Sequence, residues 1–163
     1  MRAHILPATK PKTLPAGVIN GELELTGDAF ERQLSLGNSA YVAGAEGFHL
    51  YVGLSSVFPD ASGGKYYWFL NFYEPKAVGE PFWTARASKK EMLDFALKKT
   101  EGISPRFREI VQLTPESGIR SPPIVFRDLL IDSIPEGRIT LIGDAAHPMA
   151  PCKLAVSVLL DLY

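Results

Sequence analysis

The 163-residue chain has one cysteine, Cys152. A single thiol excludes an internal disulfide and fits a reducing compartment, so a cytoplasmic setting is the expectation. Cys152 itself reads as a small hydrophobe rather than a reactive group. The three histidines cluster neither with it nor with one another, and no metal-ligand spacing appears. Charge of either sign is not in excess: 17 Lys and Arg stand against 18 Asp and Glu, a formal charge of −1. That balance gives no electrostatic case for nucleic acid or for an anionic membrane surface. No apolar run approaches the roughly 20 residues of a membrane-spanning helix. The first residues lack the continuous apolar core of a secretory signal. The 14 glycines never fall in a Gly-x-Gly-x-x-Gly pattern, so the turn that cradles a pyrophosphate at a helix N-terminus is missing. There is no internal repeat and no low-complexity tract.

What is present suits one packed domain, with room for a fragment of a second: 46% of residues are hydrophobic. Residues 1–17 are Pro-rich and read as extended. Gly21–Leu25 reads as a first strand and Phe30–Leu36 as a second; Ser39–Ala43 is short and bounded by glycine. Phe48–Leu54 alternates, with Phe48, Leu50, Val52 and Leu54 on one face and His49, Tyr51 and Gly53 on the other. Lys65–Tyr73 is aromatic on both faces, Tyr66, Trp68, Leu70 and Phe72 against Tyr67, Phe69 and Tyr73. The turn-rich Pro59–Gly64 between them predicts a long antiparallel hairpin. A strand with large groups on both faces needs cover on both, from helices on one side and from a ligand or another domain on the other. Ser88-Lys89-Lys90-Glu91 is a capping-box sequence and predicts a helix to about Glu101, with Met92, Phe95, Ala96 and Lys99 on one face. Ser104-Pro105 starts another, to about Thr114, with Phe107, Ile110 and Val111 buried and Arg106, Arg108 and Glu109 solvated. Ile124–Ile131 reads as an edge strand. Trp68, Leu70, Phe95, Ile110 and Ile142 are the expected core.

The most informative stretch is Gly137–Pro151. Ile139–Ile142 reads as a buried strand, since its apolar residues do not simply alternate with polar ones. Gly143 and Asp144 end it and set a carboxylate at the C-terminal end of a strand, where open α/β sheets hold ligands. Small Ala145 and Ala146 would admit a molecule close to the backbone, and Pro148 and Pro151 stiffen the segment beyond them. Without further context this is also what a strand and a Pro-rich turn look like, with Asp144 as a turn residue or cap.

Gly143, Asp144, His147 and Pro151 match every fixed position of Gly-Asp-x-x-His-x-x-x-Pro. This is the second flavin motif of the FAD-dependent monooxygenases of the para-hydroxybenzoate hydroxylase type, class A flavoprotein monooxygenases, which the chain resembles. The order of the remaining elements resembles that family's middle, substrate-binding region. The resemblance implies an α+β chain, part of an α/β FAD-binding fold. Residues 1–136 would form a mixed, largely antiparallel substrate-domain sheet with packed helices. Residues 137–163 would be a fragment of the FAD-binding domain, comprising one strand, the flavin motif and a truncated helix. It further implies FAD as cofactor with NAD(P)H as reductant, oxygen, and hydroxylation or epoxidation of an aromatic or polyketide-like small molecule. Gly143, Asp144, Ala145, Ala146 and Pro151 would contact the flavin, Asp144 through a ribityl hydroxyl. His147 would be packing support, and no side chain is required as an acid, base or nucleophile. The family's Gly-rich turn and its central Asp-Gly motif have no counterpart here, and Cys152–Ser157 lacks the glycines that come after the motif. An incomplete chain with a missing FAD-binding half is therefore the expectation. The alternative is a non-enzymatic binding module of the same fold that does not retain FAD. A phosphohydrolase using Gly143-Asp144 is the weakest reading, because no Asp-x-Asp accompanies it.

Overall fold

A computed structural model describes residues 5–6, 10–77, 83–121, 124–129, 139–143 and 146. Its centre is a four-stranded antiparallel sheet in the order β2-β5-β4-β3. The strands are β2 (Ala16–Thr26), β3 (Ala40–Ala45), β4 (Phe48–Val57) and β5 (Gly63–Tyr73). The expected hairpin is its spine: Phe48 opposes Phe72, Leu50 opposes Leu70 and Val52 opposes Trp68, with an irregularity between Leu54 and Ser56. Three helices, α1 (Gly27–Leu34), α2 (Lys89–Lys99) and α3 (Pro105–Gln112), contribute Phe30, Met92, Ala96, Ile110 and Val111 to the core that the sheet's inner face builds. A short pair, β1 (Lys12–Thr13) with β6 (Arg127–Asp128), lies apart from this sheet.

The period-2 pattern decides which residues face the helices. Ile19, Leu23 and Leu25 of β2, Phe48, Leu50 and Val52 of β4, and Tyr66, Trp68, Leu70 and Phe72 of β5 are all buried there. Trp68 is the keystone. Its indole lies across Gly21, where an added Cβ would come within 2.6 Å of the ring. Its Nε1–H donates to Thr114 Oγ1 at 2.8 Å, and Thr114 donates in turn to the Ile110 carbonyl at 2.7 Å. The sheet is thereby tied to the C-terminal end of α3 by a fully satisfied buried polar chain.

The helix predictions hold in their residues. Ser88 caps α2, its Oγ accepting from the Glu91 N–H while Glu91 accepts from the Ser88 N–H; Pro105 opens α3. Five expectations need correction. Phe30–Leu36 is helix rather than strand, because Phe30, Gln33 and Leu34 turn inward at helical spacing. Gly27, at φ +55°, makes the turn out of β2. Phe95 is only half-buried, sandwiched between Phe72 and Trp83 with ring centroids 4.9 Å away on each side. Arg108 and Glu109 are not solvated bystanders. Arg108 Nη2 donates to the Leu97 carbonyl, and Glu109 receives Arg32 and Gln33. Within Ile124–Ile131, the strand among the described residues is limited to Arg127–Asp128, extended by the Leu14 N–H donating to the Phe126 carbonyl at 3.0 Å. Finally, Ile139–Ile142 forms no strand. Leu141 is buried, but Ile139 is 60% and Ile142 79% exposed. A strand that is apolar on both faces is stable only between neighbouring strands, and none of the described residues pairs with it.

One network joins three elements outside the apolar core. Tyr41 of β3 donates to Gln33 Oε1 at 2.5 Å, and Gln33 Nε2 donates to Glu109 Oε2 at 2.9 Å. Arg32 grips Glu109 Oε1 through two nitrogens at 2.7 and 2.9 Å. Burial pushes the Tyr41 phenol up, which keeps it a donor. The Arg32 guanidinium holds the Glu109 carboxyl below its ordinary value; partial burial opposes this and the Gln33 amide adds to it. A depressed folded pKa stabilises the protein above the unfolded pKa and ceases to do so as pH falls through the folded one. The stability difference between wild type and Glu109→Ala should therefore be full at neutral pH and shrink progressively below about pH 4.5. Urea midpoints across that range check it; a difference that grows on acidification would contradict the assignment.

Candidate functional site

The face of the sheet turned away from the helices is unlike an ordinary solvated sheet. Strand alternation brings Val18 and Asn20 of β2, His49 and Tyr51 of β4, and Tyr67, Phe69, Asn71 and Tyr73 of β5 onto it. Three of the rings form a contiguous cluster, with centroids at 5.5 Å for Tyr67–Phe69, 6.0 Å for Tyr51–Tyr67 and 6.3 Å for Tyr51–Phe69. All three are half-buried. Tyr67 lies flat because Gly53 beneath it has no side chain: a Cβ there would come within 2.5 Å of the ring. One flank is closed by Leu14, Ala16, Val18 and Phe126, which pack against Phe69.

Two amide oxygens on this face, Asn20 Oδ1 and Asn71 Oδ1, are buried without a hydrogen-bond partner. At the Tyr67 end opens a cavity of about 320 Å³, lined by Glu22, Glu24, Ser55, Lys65, Tyr67 and Arg120 with Leu23 and Tyr66. Its charges are matched in pairs, Lys65 with Glu24 at 3.0 Å and Arg120 with Glu22. The Arg120 bond holds the Glu22 carboxyl below its ordinary value. No group of three or more potential metal ligands occurs among the described residues. The ring cluster offers flat apolar surface beside a charged cavity, and no nucleophile–base pair occurs on this face among the described residues.

Of the five residues expected to touch a cofactor, Gly143 and Ala146 are described. Gly143 adopts φ +57°, a left-handed conformation that favours glycine. No heavy atom of the described residues lies within 4 Å of where its Cβ would be. The Ala146 N–H closes the turn on the Gly143 carbonyl at 2.9 Å. A left-handed glycine with no described atom near its Cβ position is compatible with close approach of a cofactor to the backbone, so the two described residues fit that use. Asp144, Ala145 and Pro151, with His147, lie outside the described residues. The hairpin's second aromatic face was legible in the sequence. Asn20 and the Gly53–Tyr67 stack were not, although the alternation of Val18-Ile19-Asn20-Gly21-Glu22-Leu23 points to the former.

No family model matches the chain. Over 144 residues, 87% of its length, it is 38% identical to the FAD-dependent monooxygenase thnD of Trichoderma harzianum, and it spans 36% of that relative. Among solved structures, HpxO of Klebsiella pneumoniae complexed with FAD and uric acid superposes with a TM-score of 0.62 and 20% identity. That match covers 92% of this chain and 34% of that one. The 2,6-dihydroxypyridine-3-hydroxylase of Arthrobacter nicotinovorans gives 0.64 and 16%, over 95% and 42%. The structural matches establish the fold, and the sequence match carries the relationship. Among the described residues no helix is long and apolar enough to cross a membrane. Over the aligned residues, which span about a third of that relative's length, the chain is similar to an FAD-dependent monooxygenase.

Proposed function

We propose that this chain provides the substrate-side sheet and one flavin-contacting turn of an FAD-dependent monooxygenase. The observation that carries the reading is the 38% identity to such an enzyme over 87% of the chain. The aromatic outer face supports it independently. When bound, FAD reduced by NAD(P)H supplies the oxygen chemistry, and the protein's part is to bind, orient and exclude water. Gly143 and Ala146 would let the cofactor lie close to the chain, with the Asp144 carboxylate accepting from a ribityl hydroxyl. Ala145 would present its N–H toward the phosphate side, and Pro151 would lie near the ring system. Tyr51, Tyr67 and Phe69 would form a wall for an aromatic or polyketide-like small molecule, to be hydroxylated or epoxidised. The contacts made elsewhere by a Gly-rich turn would come from a separate FAD-binding half.

The test has two parts. FAD titrated into this chain, followed by flavin fluorescence, should bind weakly, because the pyrophosphate-binding turn is absent. Stoichiometric tight binding would refute the division of labour. A protein of the relative's full length carrying this sequence should purify with a flavin spectrum and oxidise NAD(P)H. A colourless, FAD-unresponsive product would refute the function.

A further inference from the structure

Asn20 and Asn71 lie close together in the aromatic face. Asn20 opposes Phe69 across β2 and β5, and Asn71 opposes Val18. They are therefore diagonal neighbours on one face, roughly 7–8 Å apart. Both are half-buried, and both amide oxygens are shut off from solvent with no hydrogen-bond partner. The surroundings explain why. Val18 and Phe69 are apolar and pack together. His49, across from Asn71 on β4, lies over Gly44 instead, its Nδ1 2.9 Å from where a Cβ there would be. Nor does either amide donate to the other's oxygen. A buried acceptor left without a donor destabilises the free protein, so two of them side by side call for a reason.

We infer that Asn20 and Asn71 are specificity-determining residues of the proposed substrate face, and that they select a flat, neutral molecule bearing hydroxyl or N–H donors over an anionic one. The inference rests on the proposed flavin function only for the reaction that the bound molecule undergoes. An amide oxygen accepts and cannot donate, so its complement is an O–H or N–H group. The terminal torsion of asparagine is broad, and no hydrogen bond holds either oxygen in place, so both can swing toward a ring lying on Phe69. Phe69 stands beside both amides and belongs to the ring cluster, 5.5 Å from Tyr67. Stacking and hydrogen bonding therefore meet at one spot. A carboxylate brings only acceptors and leaves both oxygens unmet. The other end of the face does not favour it either, since Lys65 is already paired with Glu24 and Arg120 with Glu22.

Resorcinol, its dimethyl ether and isophthalate test this, being one ring with two donors, with none, and with two carboxylates. NMR titration of each into the full chain, at neutral pH and without FAD, gives the dissociation constants. Wild type should bind resorcinol roughly two- to tenfold more tightly than the ether, the worth of about one hydrogen bond, and isophthalate most weakly. Replacing both amides, Asn20→Leu with Asn71→Leu, should abolish the preference and keep the ether's binding. It should also raise the urea midpoint of the free chain, because the unmet oxygens are gone. Tyr67→Ala should weaken resorcinol and ether alike. If the double variant does not fold, the two single variants decide, each of which should reduce the preference. No binding of resorcinol, a preference for the ether or for isophthalate, or a preference that survives the leucine substitutions would overturn the inference. So would a lower urea midpoint, which would mark the amides as structural. Because no flavin is present, a full-length protein that fails to take up FAD would refute the proposed function and leave this selectivity standing.

Discussion

Trp68→Ala should lower the unfolding free energy by about 3–5 kcal/mol, the usual cost of emptying a large buried aromatic site. Three features place it in the upper part of that range. The indole is fully buried and stands at the middle of β5, between β2 and β4. Its partner Gly21 has no side chain that could collapse into the space. The Thr114 hydroxyl would lose its donor, although it would still donate to the Ile110 carbonyl. Trp68→Phe keeps most of the ring contact and loses the hydrogen bond, so roughly 1–3 kcal/mol is expected. Domains of this size are stable by about 5–15 kcal/mol, so Trp68→Ala should shift the urea midpoint far down or leave the chain unfolded. A midpoint close to wild type would mean that the sheet is not tied to α3 as described.

Asp144→Ala, in a protein of the relative's full length, should weaken FAD binding by roughly ten- to a hundredfold. A hydrogen bond to a carboxylate contributes about 1.5–3 kcal/mol, and each 1.4 kcal/mol is about a factor of ten. Asp144→Asn distinguishes charge from geometry: it retains an acceptor oxygen and should recover part of the loss. Nanomolar retention needs roughly 12 kcal/mol, so one such bond cannot hold the cofactor, and the same arithmetic gives weak binding by the present chain. Flavin fluorescence titration of the three proteins measures both effects. An unchanged affinity for Asp144→Ala would remove that residue from the flavin site.

Local signals settled much of this protein. The hairpin of Phe48–Leu54 with Lys65–Tyr73 comes from period-2 alternation around a turn-rich loop, and the starts of α2 and α3 come from a capping box and a first-turn proline. These are short-range effects, complete within a few residues. Tertiary structure decided the rest. Gly27–Leu34 became helix because packing against the sheet favoured Phe30, Gln33 and Leu34 on one face over alternation. Glu109 became part of a network because Arg32 and Gln33, more than seventy residues away, arrive beside it. Ile139–Ile142, apolar enough to read as a buried strand, pairs with no strand among the described residues, and Ile139 and Ile142 are exposed. Hydrophobic pattern states what a segment can bury, whereas a strand exists only where another strand supplies its hydrogen bonds, and that partner is set by the fold.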